Sequence, residues 1–404
     1  MMWELIQANK RKSIIIFIGM GLLLILIGFT FGSFYDPESG GVVGIFFALI
    51  LWGILSMISY FAGSKVLLAV SGAKEVTPDI HPQLYNVVEE MRIAANLTHQ
   101  PKIYIIPDAA PNAFATGIKP ENSAIAVTAG LLGTLNRDEL QGVVAHEMSH
   151  IMNRDILLMT FAGMMLGAIT LMADVFTRSL WFGGGSRYKS KSSDKSGQGQ
   201  IIILVLAIAL AILGPIMAQL LYFAISRRRE YLADASAVRL TRYPDGLASA
   251  LEKISGTNLD LKTANKVTAP MYIINPLKKK GMKLSNVTST HPPITERINI
   301  LRSMTQGVNY TNYQNAFNKV TGKSSGLIPQ SGLTDLSAMG LRSPELSQTS
   351  LESEKQVKRE VGDLMMKLNE FIFINCSCGI KIKVPPDYKD NSITCPKCRR
   401  IHEI

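Results

Sequence analysis

His146-Glu147-Met148-Ser149-His150 is the stretch from which the rest of the chain is read. Two histidines four residues apart on a helix emerge on one face, one turn from each other. Glu147 follows the first and can reach a water held on an ion between the two rings. The pattern needs a helix, and one is predicted to start near Asn136. Asp138 and Glu139 then fall in its first turn, where acids suit the helix dipole. The competing reading is a pair of packed or solvated histidines. With only six histidines in the chain, a pair at this spacing is more than composition noise.

Zinc in such a site takes a third protein ligand and leaves one position open. The candidate is Glu230, in Arg229-Glu230-Tyr231-Leu232-Ala233-Asp234. Glu230 and Asp234 are four apart and share a helix face. Glu230 can close the coordination, and Asp234 can hold the far nitrogen of a liganding histidine. Otherwise both are surface acids paired with the neighbouring arginines. The helix of the histidines is expected to run into an apolar stretch, and that of Glu230 to run out of another. An antiparallel pair would bring residues near 148 and 230 together at one membrane face.

Apolar stretches cover about 13–31, 42–61, 156–176 and 201–225, each near the roughly 20 residues a bilayer needs. Lys10, Arg11 and Lys12 precede the first, Asp36 and Glu38 lie between the first two, and Lys65 follows. This bias puts the N-terminus in the cytoplasm and the hairpin tip outside. The first stretch has no small-residue cleavage site behind it, so it reads as a retained helix rather than a signal peptide. Between the third and fourth stretches, residues 183–200 are Gly-, Ser- and Lys-rich and read as a flexible loop. Arg187, Lys189, Lys191 and Lys195 oppose the charge rule there. Arg227, Arg228 and Arg229 obey it on the next segment. A spanning second hairpin is favoured over one lying shallow or partly buried.

The formal net charge is +11, but only 18% of residues are charged and mean hydropathy is positive. Anionic headgroups therefore account for the basic surplus better than nucleic acid does. No nucleic-acid motif or aromatic–basic interleaving points the other way.

Residues 72–155 read as a compact αβ segment, with a helix from Pro82 to Leu97 and strands at Lys102–Ile106 and Ala124–Thr128. Asn112-Ala113-Phe114-Ala115-Thr116-Gly117 is short, apolar and Gly-terminated. Further on stands Ser289-Thr290-His291-Pro292-Pro293-Ile294-Thr295-Glu296-Arg297, where prolines start a helix. His291 can donate to the oxyanion formed when water attacks a carbonyl; the bland alternative is that it caps a turn. Arg297 can orient an acid or the substrate.

All four cysteines lie after residue 375, as Cys376-Ser377-Cys378-Gly379 and Cys395-Pro396-Lys397-Cys398. Two tight pairs suit a tetrahedral thiolate site for a second, structural zinc in a reducing compartment. Two disulfides and an iron site are the weaker alternatives. Such a module needs its metal to fold, and nothing in it selects a substrate, a partner or nucleic acid as its target.

Taken together, the 112–117 segment, His146–His150 with Asn153 and Asp155, Ser226–Asp234, and His291-Pro292-Pro293 with Arg297 resemble the HtpX-type membrane zinc metallopeptidases, relatives of the CaaX prenyl proteases. The likeness covers roughly residues 1–305. It implies a gluzincin-like α+β metalloprotease domain on an α-helical membrane anchor of about four transmembrane helices. The small zinc ribbon is an addition to that pattern. The resemblance makes His146, His150 and Glu230 the zinc ligands, Glu147 the general base and then acid, and His291 the transition-state histidine. It puts Asn112 near the substrate. It makes Ala124, Ile125, Ala126, Val127 and Thr128 the edge strand with which an extended substrate pairs. Quality control of misfolded or damaged membrane proteins, in the cell membrane with the active site toward the cytoplasm, is the role it implies.

The expected organisation is a transmembrane hairpin over 1–70 and a protease domain over 71–305 containing a second membrane hairpin at 156–225. A flexible linker over 306–358 and a helix with a ribbon-like module over 359–404 follow. The lipid bilayer and unfolded or membrane proteins are the expected partners; the sequence does not fix the oligomer. The competing functions are a specific C-terminal processing protease of lipidated peptides, and a non-catalytic scaffold that keeps zinc for structure alone. Only four membrane stretches argue against the enclosed chamber of the first. An intact Glu147 beside complete ligands argues against the second.

Overall fold

The computed structural model describes residues 3–183, 197–264, 268–274, 276, 292–304, 307–323, 326–328, 333, 340–344 and 354–404. Helix α1 (Trp3–Tyr35) and helix α2 (Gly40–Val70) form an antiparallel hairpin. Gly28 and Gly32 of α1 face Gly44 and Gly40 of α2. A Cβ on Gly32 would stand 2.0 Å from Gly40 O, and one on Gly28 2.5 Å from Gly44 O. Only glycine permits this approach, and close backbone packing is what holds helices together where lipid removes the hydrophobic drive.

Among the described residues, four helical segments are long and apolar enough to span a membrane: Ile14–Tyr35, Gly40–Val70, Ile156–Arg178 and Ile201–Ala218. They agree with the four expected stretches. Their inward faces share one apolar core that includes Met20, Leu24, Ile27, Phe161, Met165 and Ile169. Phe31 stacks on Phe176 with ring centroids 3.8 Å apart. The outward faces expose Phe46, Phe47, Ile50, Ile202 and Val205, as lipid contact requires.

Beyond α2 the chain builds strand β1 (Lys74–Glu75), helix α3 (Pro82–Ala94), strands β2 (Lys102–Ile106), β3 (Ala113–Gly117) and β4 (Ser123–Thr128), and helix α4 (Ala129–Thr134). The sheet order is β1-β2-β4-β3, with β2 parallel and β3 antiparallel to β4. This corrects one expectation. Ala124–Thr128 is an interior strand, paired on both sides, and the edge strand next to it is Ala113–Gly117. The physical reason is the pairing: β3 lies antiparallel along one side of β4 and β2 lies parallel along the other, so β4 is enclosed between its partners.

Helix α5 (Arg137–Met152) begins with a reciprocal cap in which Asn136 Oδ1 accepts from Glu139 N and Glu139 Oε2 accepts from Asn136 N. It is buried on nearly every side. Contrary to the expected continuous run, α5 stops before the membrane helix α6 (Ile156–Gly183). Arg154 lies between them in the left-handed region, at φ 61°. Helix α7 (Gly197–Thr241) is one 45-residue rod that leaves the membrane segment and passes beside α5. Its first four residues belong to the stretch expected as loop, whose 184–196 portion lies outside the described residues.

Helices α8 (Pro244–Gly256) and α9 (Ile294–Arg302) pack on this centre. So does α10 (Tyr310–Thr321), which corrects the linker expectation: Tyr310, Tyr313 and Phe317 carry a helical spacing and are buried in the main core. Helix α11 (Glu354–Leu368) lies against α4, where a Cβ on Gly133 would meet Val361 at 2.3 Å. Lys74 Nζ donates to Leu368 O and Asn369 Oδ1, both at 2.8 Å, and so ties the end of α11 to β1. Two hairpins follow, β5 (Ile372–Asn375) with β6 (Lys381–Val384), and β7 (Ser392–Thr394) with β8 (Ile401–Glu403).

Candidate active site

Helices α5 and α7 cross with His146, His150 and Glu230 turned to one point. His146 Nε2 stands 3.3 Å from His150 Nε2. Glu230 Oε2 is 3.6 Å from His146 Nε2, and Oε1 is 3.5 Å from His150 Nε2. All three side chains are buried.

The rings' outer nitrogens explain how this arrangement could hold a cation. His146 Nδ1 donates to Asp234 Oδ1 at 2.9 Å. His150 Nδ1 donates to Asp155 Oδ2 at 3.3 Å. With Nδ1 carrying the proton, each Nε2 presents a lone pair inward. An ion between them would then be met by two lone pairs and a carboxylate, all out of water. The spacing fits: ligands at about 2.0–2.1 Å around a tetrahedral zinc lie about 3.4 Å from each other. The residues present therefore suit a zinc ion. Burial opposes a charge on His146, yet Asp234 and Glu230 hold its pKa up at about 9, so ion binding displaces a proton there.

Arg297 is fully buried and clamps Asp234 with two hydrogen bonds, Nε to Oδ2 at 2.8 Å and Nη2 to Oδ1 at 2.7 Å. Its Nη1 is 3.6 Å from Glu230 Oε2. One guanidinium thus fixes the acid behind His146 and reaches Glu230. Burial favours the neutral form of Asp234. Arg297 and His146 outweigh it and hold the acid below the usual carboxylate range.

Glu147 lies between β3 and the ligand cluster and is buried. Burial pushes its pKa up, and Glu230 adds to this; His146, His150 and a backbone hydrogen bond from Ala115 pull the other way. A carboxylate so placed is suited to accept and return a proton.

Of the other expected site residues, Asn112 is buried and its amide is engaged with Ala113 and Ile274. His291 lies outside the described residues. Asp155, to which the sequence pattern assigns no role, is the partner of His150 and sits immediately before α6. The signal that could have found it is an acid just past the end of the histidine helix.

The four cysteines form a second cluster, with sulfur separations of 3.4 Å (Cys376–Cys398) and 3.6 Å (Cys378–Cys395). These are too long for disulfides and close to the about 3.8 Å edge of a tetrahedral zinc thiolate. Each pair closes a tight turn. Gly379 takes φ +85°, which a side chain would resist. The Cys378 backbone N–H draws the Cys376 thiol down to about 5, toward the thiolate a metal needs.

Two imidazoles and a carboxylate around one point, with a further buried acid beside them, define the centre of a metallopeptidase. Comparison with known proteins gives the family. Residues 78–305 match Peptidase family M48. The Protease HtpX homologue of Dictyoglomus turgidum is 44% identical over 302 residues, covering 75% of this chain and 94% of that protein. That of Streptococcus uberis is 42% identical over 304 residues, covering 75% of this chain and 100% of that protein. The crystal structure of S. mikatae Ste24p is similar over 74% of this chain and 66% of that chain, at 20% identity and a TM-score of 0.38. The chain belongs to Peptidase family M48, and it is an HtpX-type membrane metalloprotease.

Proposed function

We propose that the chain hydrolyses peptide bonds in misfolded or damaged membrane proteins, at the cytoplasmic rim of the bilayer, with Glu147 as general base and then general acid. His146, His150 and Glu230 would hold the catalytic zinc, and the four cysteines a structural one. The observation that carries this reading is the convergence of three buried acceptor atoms beside a buried, protonatable Glu147. When bound, zinc supplies Lewis acidity that makes a water acidic and a carbonyl electrophilic. Glu147 takes the proton of the attacking water and returns it to the leaving nitrogen. Asp234 and Asp155 keep the two imidazoles in one tautomer, and Arg297 keeps Asp234 ionised. His291 is assigned the oxyanion on sequence grounds.

Supporting the site's level at the membrane, α6 starts one residue after Asp155. The N-terminal charge bias supports the cytoplasmic side. Two assays test the reading. Purified protein in detergent is expected to cleave unfolded β-casein in preference to a prenylated C-terminal peptide; the reverse preference would replace general proteolysis by processing. In sealed inverted vesicles, externally added casein is expected to be cut without detergent. Cleavage only after detergent is added would reverse the orientation.

A further inference from the structure

β3 ends the sheet, and its outer edge is where an extended peptide would add as a further strand. Thr128 N donates to Asn112 O at 2.9 Å. Alternation along an antiparallel pair then sends the polar groups of Ala113 and Ala115 away from β4. On that side Ala115 meets Glu147. Ala113 meets the chain itself, because Ile273 N donates to Ala113 O at 2.9 Å.

The contacts continue along the segment. Arg297 Nη1 donates to Ile273 O at 3.3 Å. Asn112 Nδ2 donates to Ile274 O at 2.8 Å, and Ile274 N approaches Asn112 Oδ1 at 3.4 Å. Tyr272 is extended, at φ −67° and ψ 147°, and its ring packs edge-on to Phe114. Ile273 is 1% exposed.

These are the groups an added strand would use. The outward carbonyl of Ala113, next along that side of the strand from the residue that meets Glu147, takes an N–H. The guanidinium tied through Asp234 to His146 takes the following carbonyl. We propose that Tyr272–Ile274 is a built-in pseudosubstrate, with Ile273 standing where the residue after the scissile bond would lie. A substrate must displace it to pair with β3. The pocket shaped by Ile273 then favours a bulky aliphatic residue at that position, in keeping with apolar, membrane-derived chains. This inference rests on the hydrolytic reading above.

The test uses full-length, zinc-loaded Glu147→Gln protein in detergent, followed by backbone hydrogen exchange with and without saturating β-casein. Displacement predicts that amide exchange at residues 272–274 accelerates about tenfold or more on casein binding, while β3 amides become slower. Unchanged or slower exchange at 272–274 with slower β3 would make the segment a fixed wall and overturn the proposal. Absence of any casein-dependent change at β3 would count against the proposal and, with it, the strand-pairing mode of substrate binding. In the active background, Ile273→Pro removes the N–H given to Ala113. It is expected to lower KM for casein about fivefold with kcat nearly unchanged, because a larger fraction of the protein is open. An unchanged KM in folded Ile273→Pro protein contradicts the proposal. If that variant does not fold, the exchange measurement decides alone. Loss of cleavage by the native protein would instead defeat the hydrolytic reading.

Discussion

Asp234 is gripped by Arg297 at 2.7 and 2.8 Å while its own Oδ1 accepts from His146 Nδ1 at 2.9 Å. His146, the acid behind it and the cation behind that acid form one buried chain. Replacing Asp234→Asn takes the two-bonded carboxylate from buried Arg297, leaves it only the longer contact with Glu230, and frees the His146 tautomer. We expect zinc affinity, read by chelator competition, to fall about 10- to 100-fold. Stability should drop by about 3–5 kcal/mol, as for a buried pair broken on one side. Wild-type zinc affinity in this variant would remove Asp234 from its assigned role.

Asp155 has the same relation to His150, at a longer 3.3 Å. Asp155→Asn is expected to weaken zinc about tenfold, toward the low end of that range, and to leave the membrane helices intact by circular dichroism. An effect on helix content with no change in zinc affinity would make Asp155 a cap of α6 only.

The hairpin glycines make a separate prediction. Gly32→Val places a Cβ against Gly40 O at 2.0 Å, whereas Gly53 has open space around its Cβ position. Gly32→Val should cost about 1–3 kcal/mol through overpacking, seen as a lower thermal midpoint in micelles. Gly53→Val should behave like the native protein. Equal midpoints for the two variants would contradict the close-packed hairpin.

Much of the site was legible because the chemistry is local. His146, Glu147 and His150 lie within one helical turn, and Glu230 and Asp234 within another. The apolar stretches at 156–176 and 201–225 supplied the hairpin that joins them. What was not legible depends on pairing in three dimensions. Ala124–Thr128 has strand composition, but no local signal says it lies between two partners rather than at the edge. Tyr310, Tyr313 and Phe317 carried a helical spacing that the Ser- and Gly-rich sequence after them obscured. Asp155 lies beyond the end of α5, where helix periodicity no longer applies; only the chain reversal at Arg154 brings it back to His150.

His81 gives a pH prediction. Its Nδ1 accepts from Leu84 N at 3.1 Å and caps α3. Burial holds its pKa below the ordinary value. The folded pKa being lowered, the stabilisation is fully present above about pH 6.5 and is lost as pH falls through the folded value. A cap of this kind contributes about 1 kcal/mol. His81→Asn keeps an acceptor that does not titrate. The native protein should therefore lose thermal stability relative to His81→Asn only on the acid side of pH 6.5. Parallel profiles would show that His81 does not cap α3 through its unprotonated ring.

The cysteine cluster is tested by counting ions. Native protein should carry two zinc equivalents by atomic emission. Cys378→Ser should carry one, lose the order of the 371–404 region, and still cleave casein. One equivalent in the native protein would confine zinc to a single centre.

The most direct test of the central claim is casein cleavage in detergent by native protein, chelator-treated protein and Glu147→Gln. The account predicts that chelation abolishes cleavage and added zinc restores it. It also predicts that Glu147→Gln retains its zinc but loses turnover by about a thousandfold or more. Cleavage that survives chelation, or substantial turnover by zinc-loaded Glu147→Gln, would contradict it.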